Sequence, residues 1–199
     1  FDLFIKGVRT EMTVKAGQKC TAIRRIIVPE ELAEDVQIAL GKALSKTTMG
    51  DPQVEGVRMG ALAGQEQVTE VREKIELLSK SQEIVYGNLG NFEVTGADKN
   101  KGAFLSPILF RNDDPFNKTD VHEVEVFGPV SSILPYKNLD EAIALAQLGK
   151  GSLVSSIVTA DNNIAREYVV GAANMHGRIL VLNEECAKES TGHGSPMPM

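Results

Sequence analysis

Cys20 lies in the run Ala16-Gly17-Gln18-Lys19-Cys20-Thr21-Ala22, where a thiol can serve as a nucleophile if it is reachable and its thiolate is favoured. Gly17 bears on access, because a residue without Cβ adopts backbone conformations closed to others and lets the chain approach a ligand closely. Lys19, Arg24 and Arg25 make the neighbourhood basic, although adjacent side chains need not face the sulfur. The competing reading is a buried cysteine acting as a small apolar side chain. Glu125 and Phe127, in Glu125-Val126-Phe127-Gly128-Pro129, read on local grounds as a solvated carboxylate and a core ring. Cys186, the second thiol, is expected to be structural or incidental. His122, His176 and His193 are too dispersed to suggest a metal site. The acidic cluster Glu30 to Asp35 and the row Glu66, Glu70, Glu73 read as solvated helix faces.

The elements that must position Cys20 are a helix before it and a strand after it. Phe1, Phe4 or Ile5, Val8 and Met12 recur at helical spacing, and Ile23, Ile26, Ile27 and Val28 form a β-branched run ending at Pro29. A helix over about 29 to 46 carries Leu32, Val36, Leu40 and Ala43 or Leu44, with acidic residues at its positive end. Turns at Gly50-Asp51-Pro52 and Met59-Gly60-Ala61-Leu62 separate it from a second helix bearing Val68, Val71, Ile75 and Leu78. Ile84 to Tyr86 reads as a strand, and the glycine- and asparagine-rich stretch from Gly87 to Gly102 as a long loop or hairpin. Phe104 to Phe110 resumes a strand in spite of Pro107, which suggests an edge or a strand terminus. Ser131 to Tyr136 is a further strand, and Asn138 caps a helix with Leu139, Ile143 and Ala146. Leu153 to Thr159 reads as a buried strand, Asp161 caps the last helix, and Ile179 to Leu182 is the final strand. This alternation favours an α/β domain with a largely parallel sheet.

Composition sets bounds on function. With 199 residues, 42% hydrophobic and 24% charged, the chain is an ordinary globular domain or part of a larger protein. Twenty-one Lys and Arg against 27 Asp and Glu give a formal net charge of −6, which argues against general nucleic-acid binding. Two cysteines make neither a disulfide framework nor a metal knuckle, so a reducing cytoplasm is the expected setting. No apolar run approaches the ~20 residues that cross a bilayer, and no membrane partner is expected. The absence of an initial methionine suggests a fragment of a longer polypeptide.

Taken in order, Gly17-Gln18-Lys19-Cys20, Gly50-Asp51-Pro52, Phe104-Leu105-Ser106-Pro107 and Glu125-Val126-Phe127-Gly128-Pro129-Val130 resemble the catalytic domain of the aldehyde dehydrogenase superfamily. The resemblance spans essentially the whole chain. Gly17 to Val28 and Asn183 to Pro196 look like the aldehyde dehydrogenase half of bifunctional phenylacetate-degradation proteins, with benzoate-pathway 3,4-dehydroadipyl-CoA semialdehyde dehydrogenases the nearest competitor. The resemblance implies a doubly wound, largely parallel sheet flanked by helices, with residues 1–199 forming the catalytic domain. It places the cofactor-binding half, the general-base glutamate, the oxyanion-hole asparagine, the oligomerisation hairpin and any hydratase domain outside this sequence.

By the same resemblance, Cys20 attacks an aldehyde to form a thiohemiacetal, which passes hydride to a nicotinamide cofactor and leaves a thioester for water to cleave. The backbone N–H of Cys20 would face the developing oxyanion. Glu125 matches the carboxylate that accepts hydrogen bonds from the nicotinamide ribose, and Phe127 the ring packed against the nicotinamide side. His193 lies in a segment that approaches the substrate. The implied cofactor is NADP, with NAD the other nucleotide considered. The implied partners are a CoA-linked semialdehyde of the 3-oxo-5,6-dehydrosuberyl-CoA type and further copies of the chain in a homo-oligomer. Two other readings of the thiol are acyl transfer or thioester hydrolysis without a nucleotide, and a non-catalytic assembly fragment with Cys20 buried.

Overall fold

The computed structural model describes residues 1–190, 192 and 193. Helix α1, Asp2–Thr13, buries Val8 and Met12 and leads through a short 3-10 turn, Val14–Gly17, to strand β1, Arg25–Pro29. Helix α2, Ala33–Leu44, follows directly on a 3-10 turn, Glu30–Leu32, and buries Ala33, Val36, Leu40 and Leu44. Helix α3 is Gln65–Leu78; strands β2 and β3 are Glu83–Tyr86 and Ile108–Arg111. After the single-turn helix α4, Asp120–Glu123, come β4, Val130–Tyr136, and α5, Leu139–Gln147. Strand β5, Ser152–Val158, α6, Asn162–Ala172, and β6, His176–Leu182, complete the order.

The first sheet runs β1-β4-β3-β2, with β1/β4 and β3/β4 parallel and β2/β3 antiparallel. Strands β5 and β6 pair in parallel as a second sheet. Side chains alternate across β3: Ile108 and Phe110 enter the core beneath α3, whereas Leu109 faces the core shared by α1 and α2. Burial on both faces gives β4 its unbroken run of buried residues from Val130 to Leu134. The architecture is therefore the expected α/β arrangement, a largely parallel sheet flanked by helices on both faces.

Several expectations need revision. Residues 104–107 are not strand, since Pro107 has no N–H for the ladder; of the two alternatives, Pro107 stands at the strand terminus, directly before Ile108, and β3 runs inside the sheet, between β4 and β2, not at its edge. Residues 87–102 form a loop and not a hairpin; Thr95 bridges Gly50, and Leu89, Phe92 and Val94 pack onto the main core. Strand β5 is only partly covered and not buried as expected, with Leu153 58% exposed, and β6 is its one ladder partner among the described residues. Both predicted caps are present. Asn138 accepts from the Glu141 N–H at 3.0 Å, and Asp161 accepts from the Asn163 N–H at 2.7 Å.

Candidate active site

Cys20 is exposed, in the irregular link between the 3-10 turn and β1, so the buried-cysteine reading does not hold. The turn before it is strained. Lys15, Ala16 and Gly17 have φ of 53°, 52° and 70°, three successive left-handed residues. Only the last is glycine, and there the geometry requires one: a Cβ on Gly17 would run into the carbonyl of Gly128. The Cys20 loop thus lies directly on the Glu125–Pro129 segment, more than a hundred residues further along.

Two side chains fasten these segments. Gln18 Nε2 donates to the Phe127 carbonyl at 3.4 Å, while Gln18 Oε1 accepts from the Ala63 N–H at 2.8 Å, tying in the turn that precedes α3. Arg24 Nη2 donates to the Gly17 carbonyl at 2.6 Å and Nη1 to the Gly128 carbonyl at 2.9 Å. Its guanidinium also sits 5.5 Å from the centre of the Phe127 ring. Burial lowers the Arg24 pKa and the nearby Glu125 carboxylate opposes that change; an arginine keeps its charge under both influences.

The three basic residues near Cys20 go to different partners. Lys19 pairs with Glu11 of α1 at 2.8 Å, with both side chains only about one-fifth exposed, at 19% and 23%. Arg24 turns to the Phe127 side. Arg25, the next residue and the first of β1, points to the opposite face and donates to the carbonyls of Leu145 and Ala146 at the end of α5 and to His122 Nδ1. The Cys20 N–H donates to no acceptor among the described residues.

Glu125 and Phe127 line one open cavity of about 930 Å³, together with Lys15 and Gln18 of the Cys20 loop and Gln67 and Lys74 of α3. Lys74 is held by Glu70 at 2.6 Å, so Glu70 belongs to the cavity wall as well as to a solvated helix face. Residues 67, 70 and 74 fall on one side of α3 while Val68, Val71, Ile75 and Leu78 fill the core. Cys20 is not itself in the cavity wall, although Gln18, two residues before it, is. An accessible carboxylate and an aromatic ring on one wall suit a nicotinamide riboside: hydroxyls for Glu125, a flat ring for Phe127.

Outside the wall of this cavity, His193 Nε2 and Ser156 Oγ of β5 are 2.9 Å apart. Burial lowers the His193 pKa, Arg178 and Lys19 acting in the same direction and Glu11 against it. Thr191 and residues 194–199, the end of the motif around His193, lie outside the described residues. Cys186 is exposed too, near β6, where its sulfur accepts from the Asn183 N–H at 3.3 Å. Gln18, Gln67, Lys15 and the orientation of Arg24 were not singled out by sequence reasoning. Gln18 stands within a quoted motif, but for the others polar residues on a helix or turn give no signal until the chain brings them to one cavity.

Fold and site together define an α/β domain with an exposed thiol on a strained loop beside a cavity suited to a nucleotide. The aldehyde dehydrogenase family model matches residues 1–190, and the chain belongs to that family. It is 40% identical over 198 residues to a 3,4-dehydroadipyl-CoA semialdehyde dehydrogenase of Aromatoleum evansii, covering 100% of this chain and 38% of that protein. It is 43% identical over 141 residues to protein MaoC of Klebsiella aerogenes, covering 70% of this chain and 40% of that protein. The chain thus spans about two-fifths of the length of these relatives. Betaine aldehyde dehydrogenase of Staphylococcus aureus in complex with NAD+ superposes with a TM-score of 0.82 over 91% of this chain and 36% of that one, at 22% identity. Succinic semialdehyde dehydrogenase of Streptococcus pyogenes in complex with NADP+ superposes with a TM-score of 0.78 over 90% of this chain and 37% of that one, at 24% identity. These two likenesses concern the fold.

Proposed function

We propose that residues 1–199 are the catalytic-domain portion of a nicotinamide-dependent dehydrogenase that oxidises a CoA-linked semialdehyde to its acid, with Cys20 as nucleophile. The observation that carries this reading is the packing of the Cys20 loop onto the Glu125–Gly128 segment at one cavity, through Gln18 and Arg24. The Cys20 thiolate adds to the aldehyde carbon and the Cys20 N–H receives the developing oxyanion. Glu125 holds the ribose hydroxyls and Phe127 orients the nicotinamide ring. The bound nucleotide supplies the hydride acceptor. Water then cleaves the thioester, with a base contributed from outside residues 1–199, a division supported by the share of its relatives that the chain spans.

The relative from Aromatoleum supports a CoA-linked semialdehyde as the substrate class. The motif resemblance points to the phenylacetate (PaaZ) type, 3-oxo-5,6-dehydrosuberyl-CoA semialdehyde, and to NADP. A cytoplasmic homo-oligomer completes the proposal; among the described residues no helix is long and apolar enough to cross a membrane. The test is reduced-nucleotide formation by the polypeptide that carries this chain, given each of the two CoA semialdehydes with NADP or NAD. Cys20→Ala is expected to abolish it, by roughly 10³-fold or more. Acid release from an acyl-CoA without any nucleotide would replace this reading with a thioester hydrolase.

A further inference from the structure

Arg24, from just before β1, reaches both the Cys20 loop and the segment that carries Glu125 and Phe127. Its two terminal nitrogens divide the work, Nη2 on the Gly17 carbonyl at 2.6 Å and Nη1 on the Gly128 carbonyl at 2.9 Å, with a longer contact of 3.4 Å to the Lys19 carbonyl. The planar fork of guanidinium allows this, whereas an ammonium presents one point charge. Arg24 lies behind the site: it lines a small interior space with Leu78, Val126 and Ser131, and is absent from the wall of the large cavity in front of Phe127. Its charge lies against the Phe127 ring, fixing that ring from the protein side.

The loop it holds would not keep its shape unaided. Lys15 and Ala16 are non-glycine residues in left-handed conformations, each costing about 1–2 kcal/mol, and such strain persists only where the surroundings enforce it. The Gly17 carbonyl, at the end of that strained stretch and three residues before the thiol, is the atom Arg24 holds with its shortest bond.

We infer that Arg24 is a positioning residue of the proposed dehydrogenase: it sets the distance between the Cys20 loop and the nicotinamide-side segment, and touches neither substrate nor nucleotide. The inference rests on the functional reading above. Its consequence is a division between turnover and binding. Losing the fork should misplace the thiol relative to the hydride acceptor, and a displacement of about 1 Å costs on the order of 10²-fold in rate. Losing the charge behind Phe127 should weaken nucleotide binding.

The experiment compares Arg24→Lys and Arg24→Met with the unmodified protein, in the full polypeptide. It measures kcat and KM for the semialdehyde, the reduced-nucleotide Kd by fluorescence titration, and thermal unfolding. Arg24→Lys keeps a cation behind Phe127 but cannot bridge both carbonyls. It is expected to lower kcat about 10- to 100-fold while the nucleotide Kd stays within about 3-fold. Arg24→Met should lower kcat as much and also raise the nucleotide Kd. A merely structural role predicts that Arg24→Lys restores kcat along with the melting temperature, and that result overturns the inference even if Arg24→Met fails to fold. Cys20→Ala separates the two levels. If it still forms reduced nucleotide, the dehydrogenase reading fails; if it is inactive while Arg24→Lys retains full kcat, only the positioning role fails.

Discussion

Cys20 is exposed, but the charges beside it in the sequence are engaged elsewhere: Lys19 by Glu11, Arg24 by two carbonyls, Arg25 by the end of α5. The Cys20 N–H has no acceptor among the described residues, and the Glu125 carboxylate lies on the wall of the cavity. If Glu125 holds ribose hydroxyls, Glu125→Gln removes charge-assisted hydrogen bonds and keeps the shape. The reduced-nucleotide Kd is then expected to rise about 10-fold, consistent with the ~1.5–3 kcal/mol of such bonds, as read by fluorescence titration. His193 meets Ser156 near the Lys19–Glu11 pair, a place that the proposed function assigns to the substrate. His193→Ala is expected to raise KM for the semialdehyde several-fold and leave the nucleotide Kd unchanged; an unchanged KM would remove His193 from the substrate wall. Alkylation of the two thiols is a weaker discriminator than their positions, since Cys186 is exposed as well.

The turn between α1 and β1 connects these residues to the fold. Gly17→Ala forces a side chain into φ +70° and drives its Cβ against the Gly128 carbonyl and to within 2.9 Å of the Met12 carbonyl. About 1–3 kcal/mol of stability should be lost, together with a fall in kcat, because the Cys20 loop must lift off the Glu125–Gly128 segment. Gly56→Ala is the control, as φ there is +88° but the space is open; it should cost about 1–2 kcal/mol and leave kcat alone. Calorimetry and turnover on the same samples check both. At α6, Asp161→Ala removes the acceptor for the Asn163 N–H and should cost about 1 kcal/mol without touching turnover, since that helix end is remote from the cavity.

Across the whole molecule, the less obvious vulnerability is acid. The Arg25 guanidinium is buried between β1 and α5, held by helix-end carbonyls, Ser152 and His122 Nδ1. Because Nδ1 accepts from Arg25, the His122 proton lies on Nε2, which donates to the Pro115 carbonyl at 2.8 Å. Burial chiefly lowers the His122 pKa; Arg25 and Lys150 act in the same direction, and the Pro115 carbonyl and Glu123 oppose them. A histidine with a lowered folded pKa takes up its proton more readily when unfolded. Its stabilisation is therefore complete above about pH 6.5 and is lost as pH falls from there through the folded value. The melting temperature should decline below about pH 6.5, and His122→Gln should flatten that decline in part, since the lowered pKa of His193 gives a second contribution of the same sign.

The order of helices and strands was legible in the sequence wherever one periodicity ruled a segment, as along α1, α2, α3 and α6. So were the caps at Asn138 and Asp161, which depend on neighbours two or three residues away. Pro107 does mark the terminus of β3, but the same local patterns left open an edge position for β3 and read β5 as buried, because a strand's neighbours are set by parts of the chain far from it. The motifs marked Cys20, Glu125 and Phe127 as belonging together by family likeness. What the sequence by itself determined was the chemical inventory and the local elements. Only the tertiary structure decided that Gly17 meets Gly128, that Arg24, just before β1, turns to the site while Arg25, the first residue of β1, turns away from it, and that α3 lends Gln67 and Lys74 to the same cavity. Strand pleating sends adjacent side chains to opposite faces, but which face carries the site depends on contacts about a hundred residues apart, and no local pattern encodes those.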